Sequence, residues 1–313
     1  MHSRSNLSGP SLLVCSGVMF ATIPIFVAFL AREGVGTWLQ LAARLAFSVP
    51  VFLLFLWAFS RDSLQISSRS NLIFIIPIGL LMLVVFGTYI ASIALGTPPQ
   101  KAVLLVCLYP IYVALGGAVL LGEKLTSRKL AFMALGLVGL GLVLEVWNIE
   151  GLAHFQIGDM LAALNGVLAA ALMLVGRWSG VRKQVKPITL TFWSLVFALV
   201  SLIVFGFCAL VWLGPEALTS QWPASMSPRT FAYLLGLALL GTVLPYASMY
   251  TGLEHTEASI GSMMMLSEPI CVFAFSYIFL HQPIGWWQII GGSLILAAGV
   301  LVASRSSPPP AGC

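Results

Sequence analysis

The length of chain that carries no charge narrows the possible folds most. Residues 189–212 contain no Asp, Glu, Lys or Arg, and residues 258–280 contain one acid, Glu268. Apolar runs of this length read as helices that cross a bilayer, whose hydrocarbon core of about 30 Å needs about 20 helical residues. Similar runs fill the chain. They predict ten spans, at 11–31, 37–60, 72–94, 102–121, 130–147, 159–176, 189–212, 230–251, 259–280 and 285–303. Each is too long and too evenly apolar for a barrel strand, which alternates over roughly ten residues. Only 8% of the 313 residues are charged and 59% are hydrophobic, whereas a soluble domain carries roughly 25% charged residues. The expected fold class is all-α integral membrane.

Charge position orients the spans. With a cytoplasmic N-terminus, one side holds Arg4, Arg61, Arg69, Lys124, Arg128, Lys129, Arg177, Arg182, Lys183, Lys186 and Arg305, and the other only Arg32, Lys101 and Arg229. The positive side is the cytoplasmic one, so both termini are expected there. The net charge of +5 is therefore a topology signal and implies no nucleic-acid partner. One connection departs from the pattern: "LEHTEA", at 253–258, should be cytoplasmic yet has no Lys or Arg.

The chain also repeats. With Pro110 set on Pro269, "PIYVALGGAVLLGEKL" faces "PICVFAFSYIFLHQPI" without a gap, and Ile111 with Ile270, Val113 with Val272 and Leu121 with Leu280 coincide. One stretch lies in the fourth span and the other in the ninth. Each half then has five spans, and an odd number makes the halves enter the membrane in opposite senses. Inverted repeats around a midplane site are a recurrent transporter architecture. The expected units are residues 1–147 and 159–304, with 305–313 a disordered tail.

Taken together these stretches resemble the drug/metabolite transporter superfamily, specifically the ten-helix EamA-like exporters. The resemblance rests on "YPIYVALGGAVLLGEKLTSRKLAFMALGLVGLGLVL" and "SEPICVFAFSYIFLHQPIGWWQIIGGSLILAAGVLV", on Arg44 in "LAARLAFSVP", and on Gly158–Asp159 opening the sixth span. It departs from the family pattern at Tyr109, where an acid often precedes the proline, and at "LHQP" in place of "LGE". The resemblance implies a secondary transporter of the bacterial inner membrane. It would export small organic metabolites, amino acids or similar amphipathic compounds, by alternating access. No nucleotide-binding motif accompanies it, so an ion gradient, protons included, or the substrate gradient must drive it. A phosphate or nucleotide-sugar exchanger of the same superfamily needs deep cations, and only Arg44 is deep. A membrane-embedded enzyme needs a nucleophile–base pair or metal ligands inside spans. A channel needs a continuous polar stripe. Neither pattern is found, and no cofactor or metal is implied.

Several intramembrane residues are candidates for a site. Pro110 and Pro269 each remove a helical hydrogen bond to the carbonyl four residues back, at Val106 and Met265. At 1.5 Å per residue, they lie about 12 Å from the outer face and about 15 Å from the inner one. Both kinks therefore fall near the midplane and are candidates for gating. A central acid costs roughly 2.5–3.5 kcal/mol to insert, so Glu268 should face protein or a wet cavity. Three roles are open to it: bonding backbone groups freed by the kink, carrying protons, or binding a substrate amine. Arg44 either holds backbone carbonyls or snorkels outward, or else binds an anion. Tyr246 and Tyr250 share a face of the eighth helix. With Tyr89, Tyr109, Asn165 and Met265 they are candidates for a moderately apolar cavity lining, although helix packing would account for each singly. "EHTE" at 254–257 reads as a solvated loop or gate, not a metal cluster. Cys15, Cys107, Cys208 and Cys271 read as small apolar packers.

Overall fold

The computed structural model describes residues 9–59, 61–66, 72–95, 97, 99–149, 155–183, 185–213, 226–281 and 284–303. These form helices and turns with no strand among them. Eight helical stretches are long and apolar enough to cross a membrane: Gly9–Arg32, Trp38–Phe59, Leu72–Tyr89, Ala102–Leu121, Ile157–Val181, Pro187–Trp212, Pro228–His255 and Ala258–Leu280. Trp286–Leu301 is a shorter apolar helix. It lies in the tenth predicted run and packs along Ser127–Val143, the helix in the fifth. All ten predicted runs are thus helical. The expected tail, 305–313, lies outside the described residues.

Four spans are interrupted, and the interruptions follow from proline chemistry. The first is α1 (Gly9–Phe20) followed by α2 (Ile23–Arg32), with Pro24 at the restart. Continuous helices α3 (Thr37–Phe59) and α4 (Leu72–Ala94) make the second and third. The fourth is α5 (Pro99–Val106) and α6 (Tyr109–Gly116), closed by a π-turn, Gly117–Leu121. The fifth, α7 (Ser127–Val143), starts where the Thr126 side chain accepts the Lys129 N–H at 3.3 Å, a normal N-cap. Helices α8 (Ile157–Lys183) and α9 (Pro187–Leu213) make the sixth and seventh. The eighth is α10 (Pro228–Ala238) and α11 (Leu244–His255), joined through a π-turn, Leu239–Val243. The ninth is α12 (Ala258–Met264) and α13 (Ser267–Leu280), and the tenth is α14 (Trp286–Ala303).

The packing is that of two halves related by a twofold. Third packs on sixth as eighth packs on first, third on seventh as eighth on second, and fourth on sixth as ninth on first. The pairs that the twofold maps onto themselves, second with seventh, fourth with ninth and fifth with tenth, are also in contact.

Glycines show the symmetry at atomic detail. A Cβ on Gly17 would lie 3.3 Å from the Met265 carbonyl oxygen, and one on Gly166 would lie 2.9 Å from that of Val106. These are the two carbonyls from which Pro269 and Pro110 withhold an N–H, so each half's first helix packs a bare glycine on the other half's proline break. Each fourth helix also ends on a left-handed residue, Gly122 (φ 70°) in one half and His281 (φ 56°) in the other. Thus His281 takes the left-handed turn that Gly122 of "LGE" takes, without a glycine.

Candidate functional site

Arg44 of α3 anchors the middle of the molecule, and its partners explain how α10 and α11 bend. Pro245 cannot supply the N–H that would bond the Gly241 carbonyl four residues back. The helix widens there into the π-turn, and an Arg44 Nη donates to that carbonyl at 2.6 Å, while Nε donates to Thr242 Oγ1 at 2.5 Å. The guanidinium lies 4.3 Å from the centroid of the Phe86 ring, within cation–π range. Ser16 of α1 donates to the Pro245 carbonyl at 2.8 Å, and Ser48 to those of Arg44 and Ala238 at 2.6 and 3.3 Å. Of the three roles open to Arg44, holding a backbone carbonyl is the one its contacts display.

Glu268 behaves differently. It sits at the restart of the ninth span, where its own backbone N–H donates to the Met265 carbonyl at 3.0 Å. The carbonyl freed by Pro269 is thereby satisfied by the main chain. The Glu268 carboxylate makes no hydrogen bond among the described residues and stays half-buried. Its electrostatic neighbours are Arg44, Tyr89, Tyr109, Tyr246, Cys107 and Cys271. Residues from the second, third, fourth, eighth and ninth spans therefore converge on one carboxylate. A role for Glu268 in bonding backbone freed by the kink finds no partner here.

The remaining candidates divide around this point. Tyr109, Tyr246 and Tyr250 are buried and Tyr89 is half-buried. The Tyr109 hydroxyl donates to the Ser262 carbonyl at 3.3 Å, tying the fourth span to the ninth. Tyr246 stands edge-on to Phe20, with centroids 5.0 Å apart. Tyr250 packs its ring on Gly176, and its buried hydroxyl has no hydrogen-bond partner among the described residues. Met265 is buried at the break. The Asn165 amide donates to the Val85 carbonyl and to Thr88 Oγ1, the latter at 2.9 Å. A buried carboxamide needs such partners, and these hold the third and sixth spans together.

A second polar group lies toward the ends of the eighth and ninth spans, and most of it is not evident in the sequence. The Glu123 side chain, 5% exposed, accepts from the Ala258 N–H at 2.6 Å, the Ser259 N–H at 3.0 Å and Ser259 Oγ at 2.6 Å. Arg177 Nε lies 3.8 Å from the same carboxylate, and Arg177 also donates to the Leu253 and Glu254 carbonyls. Lys129 pairs with Glu257. The "LEHTEA" connection therefore takes its cations from α7 and α8, which accounts for its own lack of Lys and Arg. The available signal was the acid of "LGE" beside that acidic connection.

The comparisons with known proteins fit this architecture. The EamA-like transporter family matches the chain twice, over residues 7–145 and 156–304. The chain belongs to the EamA-like transporter family. An uncharacterized transporter of Archaeoglobus fulgidus is 25% identical over 95% of this chain and 96% of its own. A probable amino-acid metabolite efflux pump of Salmonella typhimurium is 23% identical, with 68% and 70% covered, and a riboflavin transporter of Rhizobium johnstonii is 25% identical, with 68% and 64% covered. A chain of known crystal structure superposes with a TM-score of 0.73 at 17% identity, covering 96% of this chain and 97% of that one. This EamA protein is accordingly a multi-pass membrane transporter built of two repeats, and not an enzyme.

Proposed function

We propose that the protein exports small amphipathic organic metabolites, amino acids or compounds like them, across the bacterial inner membrane. Its two halves alternate access to a site around Glu268, and both termini are cytoplasmic. The observation that carries this reading is the Glu268 carboxylate itself: half-buried, without a hydrogen bond among the described residues, at a helix break where five spans meet. An acid kept so deep needs a function to offset its cost. Tyrosines beside it supply apolar surface with hydroxyl tips, the mixture that amphipathic ligands require. The efflux-pump relative supports the direction and the substrate class. Arg44, the one deep cation, is engaged by Gly241 and Thr242, which weighs against a phosphate exchanger. Glu268 is read as the group that takes up and releases the coupling proton.

The test is transport into vesicles of the purified protein, using a panel of labelled amino acids, amphipathic metabolites and phosphorylated compounds, with and without a pH gradient. A zwitterionic or amphipathic member should accumulate when the gradient is present. Exchange of phosphorylated compounds alone, or no transport above protein-free vesicles, would overturn the proposal.

A further inference from the structure

The contacts around Glu123 join the two halves, and their chemistry is unusually complete. Glu123 and Lys129 belong to the first repeat, and Arg177, Glu257, Ala258 and Ser259 to the second. The Glu123 carboxylate accepts from two backbone N–H groups and a hydroxyl at the start of α12, the positive end of that helix. Arg177 takes the last carbonyls of α11, the negative end, and approaches Glu123 as well. The connection between the eighth and ninth spans is thus held from both sides by charges of the sign each helix end attracts. Hydrogen bonds to ionised groups are the stronger class. Only one turn separates Ser259 from Ser262, whose carbonyl accepts from Tyr109 of the central cluster. The latch therefore lies directly between that cluster and one face of the membrane.

The other face can be compared position by position, because the repeat register is fixed. The spacing from Pro110 to Pro269 also separates Val106 from Met265, Gly122 from His281, and Thr97 from Thr256. Those two threonines are buried, lack a hydroxyl partner among the described residues, and sit under Gly158 and Gly9 respectively. In this register Glu123 corresponds to Gln282, Lys129 to Gln288, Glu257 to Pro98, Ala258 to Pro99 and Ser259 to Gln100. By the spacing of Gly17 and Gly166, Arg177 corresponds to Ala28. None of the equivalents is charged, and Pro99 has no N–H to donate. The fold is symmetric and its two ends are not.

We propose that Glu123 is the positioning residue of the inner gate. Transport requires its release from the Ala258 and Ser259 N–H groups, and the empty protein rests closed at this end because the positions equivalent to Glu123, Lys129, Arg177 and Glu257 at the opposite end are uncharged. The inference rests on alternating access around Glu268, but its test needs no substrate.

A single cysteine replaces Tyr89, in the central cluster, in a background where the native cysteines are serine. Oriented membrane vesicles are treated with an impermeant maleimide from one face or the other. With Glu123 intact, reaction should be faster from the outer face. Glu123→Ala should raise the inner-face rate about tenfold and lower the outer-face rate, since each lost charge-assisted bond is worth at least that factor. Glu123→Gln keeps the side-chain shape and one acceptor and should fall between, so the test survives if the alanine variant does not fold. General loosening would raise both rates together. That outcome, or unchanged rates in both variants, would overturn the proposal. If the reciprocal change occurs while no panel compound is transported, the gate stands and the substrate reading alone fails.

Discussion

At the scale of single residues, the glycines on the proline breaks are exacting positions. Gly166 touches the Leu105 and Val106 carbonyls, and a Cβ there would lie 3.0 and 2.9 Å from their oxygens. Backbone cannot yield as a flexible side chain can, so Gly166→Ala should destabilise by roughly 1–3 kcal/mol, the usual cost of overpacking. Gly87, with nothing within 4 Å of its would-be Cβ, is the control. Gly87→Ala should be neutral or slightly stabilising through helix propensity. Thermal unfolding in detergent compares the two, and equal midpoints would contradict the close-approach account. His281 offers the opposite change. It holds φ 56° where its counterpart is Gly122, and glycine is preferred at such a helix end. His281→Gly should therefore raise the unfolding midpoint, as the same measurement would show.

Elements join these residues through the eighth span, where one missing N–H sets a chain of dependencies. Pro245 orphans the Gly241 carbonyl, the π-turn forms, and Arg44 reaches across to fill the gap. Arg44→Ala should cost about 1–3 kcal/mol for the acceptor left unsatisfied. In a Pro245→Ala background the helix can supply its own N–H, so the same substitution should cost much less. A double-mutant cycle by thermal unfolding reads the coupling, and additive effects would show that Arg44 serves something else. The sequence made part of this legible. Pro110 and Pro269 announced the paired breaks because proline acts on its own helix. Arg44 was recognisable as deep, but its tie to Gly241 spans two distant helices and no local pattern encodes it. The partners of Asn165 are hidden for the same reason: they are on the third span, distant in sequence.

For the whole molecule, hydropathy and charge outline ten spans and two halves, and the packing follows the twofold that an odd number of spans implies. What remained hidden was the asymmetry between the ends. The "EHTE" stretch read as a solvated loop because its cations, Lys129 and Arg177, come from other helices. Reporter fusions after Lys129 and Lys186 should give cytoplasmic signals. An external signal after Lys129 would reverse the assignment of the latch to the inner face. The central claim concerns Glu268, a carboxylate available to cycle its charge because no hydrogen bond among the described residues engages it. Its most direct test is transport by Glu268→Gln in vesicles under an imposed pH gradient, scored beside downhill exchange of the same substrate. The variant should lose gradient-driven accumulation and keep exchange. Accumulation equal to that of the unmodified protein would contradict the account.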